Sequence, residues 1–439
     1  MLQQFHDILP GSSIAWVHRE AERRYADVAA DLERLIVASI SRLAGAGNEE
    51  IAFNAGPFGR AGVPGSGAGS AVWDPEAEPV RVEESETGLA ADDGLVRLRI
   101  DRRGLFTSLV DLATGREVVP PGEVGNLLQV HRDIPNQYDA WDIDRHYRHT
   151  VIDLDRAECV TAGPVTAGVG AVRVTRRFGD STIEQRITLT QGSPSVQVST
   201  EIDWHERQKL LKLAFPVDVA ADRSASETQF GHVFRPTHTN TSWDAARFEI
   251  CAHRWIHVGE PGFGVAIAND STYGHDVTRA ARSGGGTFTT VRLSLVRAPL
   301  YPDPDADQGR HFFRVSITPG ADIADAVRAG YQADLPLRSV RGARNVAPIV
   351  TVTDPAVVVE AVKLAEDRSG DVVVRVYESL GCRVTATVQA GFGAADVRVT
   401  DLLERPLRGT ASRAGGVIVL QLRPFELVTL RFTPHNSDP

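Results

Sequence analysis

A mainly β protein is the fold class this sequence predicts, with one long N-terminal helix followed by a large antiparallel β-sandwich and a small C-terminal β-sandwich. Three observations predict it. Apolar residues keep helical spacing over a long span only between Ile14 and Leu43. Beyond residue 50 the pattern changes to short segments of period two. Gly, Pro, Asn and Asp punctuate those segments at the spacing of a large antiparallel sandwich, as in DLATGREVV and LTQGSPS.

Each element has its own justification. Ala21, Tyr25, Val28, Leu32, Leu35, Ile36, Ile40 and Leu43 form the apolar stripe of the helix, with Arg, Glu and Asp on the opposite face. Ser12 or Ser13, after Pro10-Gly11, supplies an N-cap, and Gly45 and Gly47 supply the stop. A single helix of this length cannot bury its own stripe, so partner helices are expected from outside this polypeptide. Strands are expected at LVRLRID (95–101), VRVTRRF (172–178), STIEQRITLT (181–190), SVQVSTEIDW (195–204), VRLSLV (291–296) and VIVLQL (417–422). The stretch 59–79, GRAGVPGSGAGSAVWDPEAEP, has the composition of a flexible linker or extended surface loop. Its GSGAGS is not a phosphate cradle, because no helix follows to present an N-terminus. A second break falls at 334–348, and the last ninety or so residues read as a separate small β-sandwich. The expected division is a helical segment over 1–47, a linker and first strand over 48–85, the large sandwich over 86–335 and the small sandwich over 346–439.

With 439 residues, 42% of them hydrophobic, the chain has enough apolar material for about three domains. Its net charge of −10 argues against a nucleic-acid or anionic-membrane partner, either of which selects for a basic face. Cys159, Cys251 and Cys382 are odd in number and far apart, giving neither a disulfide framework nor paired metal-ligand spacing. No window approaches a membrane span, and no signal pattern opens the chain, so a reducing cytoplasm is the expected compartment.

Polar and aromatic residues crowd into four runs: Phe5-His6-Asp7, NQYDAWDIDRHY (136–147), FRPTHTNTSWDAARFE (234–249) leading into AHRWIHV, and YPDPDADQGRH (301–311). A His-Asp pair at a helix entrance is most simply a capping or packing pair, and the Trp-Asp loop could simply cover a sheet edge. Asp303-x-Asp305-x-Asp307 imitates a calcium loop but has Gln308 where the turn needs Gly and no acidic twelfth residue. His253 and His257 sit four apart in a strand-like segment, where that spacing carries no metal logic. Aromatic rings beside carboxylates and amides do suit a sugar, since ring faces stack on pyranose C–H surfaces while carboxylates hold hydroxyl pairs. The runs point to carbohydrate.

QFHDILPGSS, YDAWDID, RPTHTNTSWDAARFE, AHRW, GFGVAIANDSTYGHDV and LSLVRAPLYPDPDADQGRH, read in order, resemble glycoside hydrolase family 38, the α-mannosidases, in their bacterial and cytosolic branch. The resemblance covers nearly the whole chain. It implies the part of such an enzyme that follows its catalytic β/α barrel: the end of a three-helix bundle, a β-supersandwich and a smaller β domain. By motif match it makes His6 one of four ligands to a zinc ion and Asp7 a holder of mannose hydroxyls, and it places Trp141, Asp142, Arg235 and His238 near the sugar. The other metal ligands, the nucleophile and the acid/base carboxylate belong to the barrel. Because a retaining mechanism needs two carboxylates about 5 to 5.5 Å apart, this chain alone is expected neither to bind zinc tightly nor to hydrolyse mannosides. Mannose-containing oligosaccharides and a separate polypeptide supplying the barrel are the expected partners. The competing expectation is a non-catalytic carbohydrate-binding or scaffolding sandwich.

Overall fold

The computed structural model describes residues 2–72, 76–407 and 413–435; residues 73–75 of the expected linker lie outside the described residues. The fold is mainly β, with one long N-terminal helix, antiparallel sheets and a C-terminal sandwich. The chain divides into two compact units, one of residues 1–37, 73–226 and 234–322, the other of 38–72, 227–233 and 323–439.

The long helix α1 spans Ala15–Ala44, within a residue of the span set by the apolar periodicity. Its entrance is tied by the Ser13 hydroxyl, which donates to the Asp7 carbonyl at 2.7 Å. At its far end Gly45 takes φ +68 and returns its N–H to Ser41 O at 3.1 Å, the left-handed stop that glycine adopts without steric cost. Ala21 is buried, but Trp16, Val28, Leu32, Leu35 and Leu43 are each more than half exposed, at 61, 55, 52, 57 and 52%. The apolar stripe therefore lies largely open. No helix among the described residues is long and apolar enough to cross a membrane.

The first unit is built on three antiparallel sheets. A nine-stranded sheet runs in the order 159–162, 169–178, 181–190, 196–204, 309–319, 263–269, 255–260, 223–228 and 231–236; a six-stranded sheet runs 250–251, 274–281, 287–296, 209–217, 127–132 and 151–153; a five-stranded sheet covers 81–117. Leu98, Val174, Val198, Leu213, Val265 and Leu293, drawn from all three, belong to one buried cluster. That shared core makes the unit a supersandwich. Alternation is visible directly, as in Val96–Asp101, where Val96, Leu98 and Ile100 are buried and Arg97 and Arg99 exposed. Lys209–Val217 departs from it, being buried from Leu210 to Val217 with Lys212 among them. A short helix, α2, spans Ser242–Ala246 in the segment that follows the edge strand Gly231–Pro236.

In the second unit a three-stranded sheet (350–352, 384–390, 417–422) faces a five-stranded one (357–364, 372–378, 427–434, 394–400, 413–414) around a core containing Val376, Val388, Val397, Leu420 and Phe432. A third, small sheet pairs Glu49–Asn54 with Gly67–Gly69 and Arg338–Gly342. The glycine-rich stretch is thus partly a buried strand, contrary to its composition. A Cβ on Gly67 would meet Val346 O at 2.8 Å, so glycine serves close backbone approach here rather than flexibility. Helix α3, Ile323–Asp334, is a second departure, with Ala326, Val327, Ala329, Gly330, Tyr331 and Ala333 buried. Its buried face is made mostly of small residues, which carry little weight in an apolar periodicity count.

Gly342 packs against the end of α1: an added Cβ would stand 2.5 Å from Ala44 Cβ and 2.9 Å from Ala44 O, while Ala343 and Arg344 N–H groups cap that carbonyl at 2.9 and 3.0 Å. Gly342→Ala is expected to destabilise the second unit by about 1–3 kcal/mol, the usual range for overpacking, measurable as a drop in the urea midpoint.

Candidate functional site

The sequence runs come together in the first unit, three of them around His6 and Trp141, while the run 234–249 joins the run 136–147 through Tyr147, whose hydroxyl donates to Glu249. Residues 5–11 form a tight turn after the 3-10 turn Leu2–Gln4, which Tyr25 of α1 holds by donating its hydroxyl to Gln3 O at 2.9 Å. Within the turn, His6 Nε2 lies 3.6 Å from Asp7 Oδ2. The His6 ring meets Trp141 edge-on, with centroids 6.1 Å apart, and Phe5 packs against it at 4.3 Å. His6 and Asp7 thus share a patch with Trp141, a residue far along the chain that only the tertiary fold brings to them.

The Trp141 loop is built from behind. Trp141 and Asp142 N–H groups both donate to Tyr138 O, at 2.7 and 2.8 Å. Asp139 Oδ2 accepts from the Leu300 and Tyr301 N–H groups at 2.7 and 3.1 Å, which brings in the fourth run. Arg297 pairs with buried Asp133 at 2.5 Å and donates to Ala140 O and Asp142 O. Burial pushes the Asp133 carboxyl upward, and the Arg297 guanidinium works against that rise. The fourth run also holds the helix entrance: Ser13 N–H donates to His18 Nε2 at 3.2 Å, leaving His18 Nδ1 to donate to Asp303 Oδ2 at 2.7 Å. Asp305 pairs with Arg207, and Asp307 accepts from Ala298 N–H, so the three aspartates of the calcium-like run face different partners. The outcome is an exposed rim in which the Phe5, His6 and Trp141 rings meet and Asp7 stands beside His6, with Tyr138, Asp142 and Tyr301 exposed on the segments that build it.

Among the described residues no group of three His, Cys, Asp or Glu side chains could hold a metal ion. One imidazole beside one carboxylate does not by itself fit a zinc ion, which takes four ligands in a tetrahedron.

Arg235 and His238 lie elsewhere. His238 lines a cleft of about 320 Å³ with Arg148, Thr239, Asn240, Asp244, Arg247 and Arg279, and none of the rim residues lines it. His238 Nδ1 stands 3.6 Å from Asp244 Oδ2. Asp244 closes a capping box with Thr241 at the start of α2, and the Thr241 hydroxyl holds its carboxyl below the ordinary range. Arg235 is half-buried near Cys251, its Nη1 lacking a hydrogen-bond partner, and burial lowers its pKa. The structure therefore groups His6, Asp7, Trp141 and Asp142 and sets His238 in a separate cleft.

Sequence reading missed a cluster of buried charges that adjoins this cleft through Arg148. Lys212 Nζ contacts Glu249 at 2.5 Å and Asp276 at 2.7 Å, and Asp276 also meets Arg292 at 3.0 Å and Arg148 at 3.6 Å. Tyr147 donates its hydroxyl to Glu249, and Arg148 donates to Phe248 O. Burial works against the Lys212 charge, but Asp276 and Glu249 outweigh it and hold the ammonium above the ordinary lysine range. The one local signal was a lysine inside the apolar run KLLKLAFPV, in a chain with lysine only at 209, 212 and 363.

Comparison with known proteins defines the class first: the chain matches, in order, the family models "Alpha mannosidase middle domain" over 1–43, "Glycosyl hydrolases family 38 C-terminal domain" over 91–305 and "Glycosyl hydrolases family 38 C-terminal beta sandwich domain" over 356–430. The chain belongs to glycosyl hydrolase family 38, and no β/α barrel is among its described residues. It is 34% identical to human Alpha-mannosidase 2C1, over 98% of this chain and 44% of that protein, and 28% identical to Alpha-mannosidase of Saccharomyces cerevisiae, over 98% and 42%. The chain thus spans less than half the length of these relatives. An α-mannosidase from Enterococcus faecalis shares the fold, with a TM-score of 0.71 at 15% identity, over 98% of this chain and 62% of that one.

Proposed function

We propose that this chain is the C-terminal part of a zinc-dependent retaining α-mannosidase that removes terminal α-mannosyl residues from oligosaccharides in the cytoplasm. The observation that carries the reading is the meeting of His6 and Asp7 with Trp141 on one exposed rim. His6 supplies one metal ligand, in a site completed by residues beyond the described ones. Asp7 and Asp142 accept sugar hydroxyls, and Trp141 gives a pyranose C–H face its stacking surface. Arg235 and His238 serve further sugar units. The open apolar stripe of α1 supports the reading, since burying such a stripe needs helices that the described residues do not provide.

The test is a 4-nitrophenyl α-mannoside assay with zinc analysis, run on purified residues 1–439 alone and together with a polypeptide carrying the family's barrel. The expected outcome is no turnover alone and turnover with stoichiometric zinc in the combination. Turnover by the chain alone overturns the proposal. Mannoside binding without turnover in either arm would favour a non-catalytic carbohydrate-binding sandwich.

A further inference from the structure

The cleft beside α2 carries a charge pattern that a neutral sugar does not need. Its lining holds three guanidinium groups, Arg148, Arg247 and Arg279, and the His238 imidazole, against one carboxylate, Asp244. The whole chain carries −10, so this local cationic surplus is not the background of the surface. Asp244 is already engaged: it accepts from Thr241 N–H and hydroxyl at 3.2 and 2.7 Å and stands near His238 and Arg247 at 3.6 and 3.9 Å. Arg148 is fixed along one edge by Asp276 and Phe248 O. Among the described residues the Arg247 side chain has as its one ion pair the long Asp244 contact, and the exposed Arg279 side chain has none. The cleft thus offers more donors than acceptors. An acceptor-rich ligand without donors satisfies that excess, and guanidinium forks match the geometry of a tetrahedral oxyanion.

We propose that this cleft is a phosphate-binding site, taking either free phosphate or the phosphate group of a phosphorylated sugar. A volume of about 320 Å³ sits at the small end of ligand pockets and suits one such group with a single sugar ring. The sugar half of the inference rests on the α-mannosidase reading; the phosphate half does not.

The experiment is calorimetric titration of the full chain at low ionic strength with inorganic phosphate, mannose 6-phosphate and mannose, using acetate as the ionic control. Phosphate is expected to bind and acetate not, with binding about tenfold weaker in Arg279→Gln, the loss of one charge-assisted fork. Asp244→Asn is expected to tighten phosphate binding, a change that a purely structural role would not produce. Arg279 is exposed and outside any ion pair among the described residues, so its variant should keep the wild-type circular dichroism; Arg247→Gln provides a second, independent loss. Tighter binding of mannose 6-phosphate than of phosphate assigns the phosphorylated sugar, and equal binding assigns free phosphate. Absence of phosphate binding, or equal binding by wild type and both arginine variants, overturns the proposal. Mannose binding without phosphate binding overturns it while sparing the carbohydrate reading.

Discussion

Replacing Lys212 with alanine is expected to cost the first unit about 3–5 kcal/mol, the range for breaking a buried ion pair from one side. The strand Lys209–Val217 lies inside the six-stranded sheet, paired with 287–296 on one side and 127–132 on the other. Leu211, Leu213 and Phe215 belong to the main core. Lys212 points to the opposite face, where its ammonium lies 5.2 Å from the Tyr147 ring centre and between Glu249 and Asp276. Removing it leaves two buried carboxylates facing each other across a small void. Arg292 and Arg148 still compensate Asp276, but Glu249 loses its cation. Urea unfolding at neutral pH, followed by tryptophan fluorescence, checks the magnitude. A loss below about 1 kcal/mol would show that the arginines alone stabilise the pair of carboxylates. Lys212→Ala combined with Glu249→Gln should recover part of the loss, because the group left unpaired is then neutral.

Acidification is the second large effect. His131 and His275 are buried, and burial, with Lys212 adding to it, brings each imidazole down to about 4. In the unfolded chain histidine titrates at about 6.5. Between those values the unfolded state binds more protons than the folded one, so stability rises with pH. The contribution is fully present above about pH 6.5 and is lost as pH falls toward 4, at roughly 3 kcal/mol for each histidine. Asp276, held low by its cations despite burial, adds in the same direction below that window. Glu249, raised by burial, opposes it. Urea midpoints measured from about pH 7 down to about pH 4.5 should therefore decline steeply. His131 packs edge-on against Tyr147 at 5.0 Å, so His131→Phe should preserve that contact while flattening the decline by about one proton's worth. An unchanged slope in that variant would show that His131 is not the group responsible.

Much of the fold was legible because it rests on local regularities. Every strand expected from alternation is a strand, and α1 begins and ends within a residue of its periodic span. The failures share a cause. Gly67–Gly69 and α3 bury small residues, which carry little apolar signal, so hydropathy could not distinguish a closely packed backbone from a loop or a helix from a coil. The motifs of the candidate site were also legible, but their grouping was not: His18 and Asp303 are 285 positions apart and 2.7 Å apart in space.

The sequence by itself determined the long helix, the alternating strands, the family and the runs in which aromatic and carboxylate side chains crowd, because side-chain period and residue type are properties of a short stretch. Only the tertiary structure decided that His6 meets Trp141, that His238 belongs to a cationic cleft instead, and that Lys212 sits among buried carboxylates. Those facts depend on which strands become neighbours in the sheets, and strand order is fixed by the burial of the whole core rather than by any local pattern.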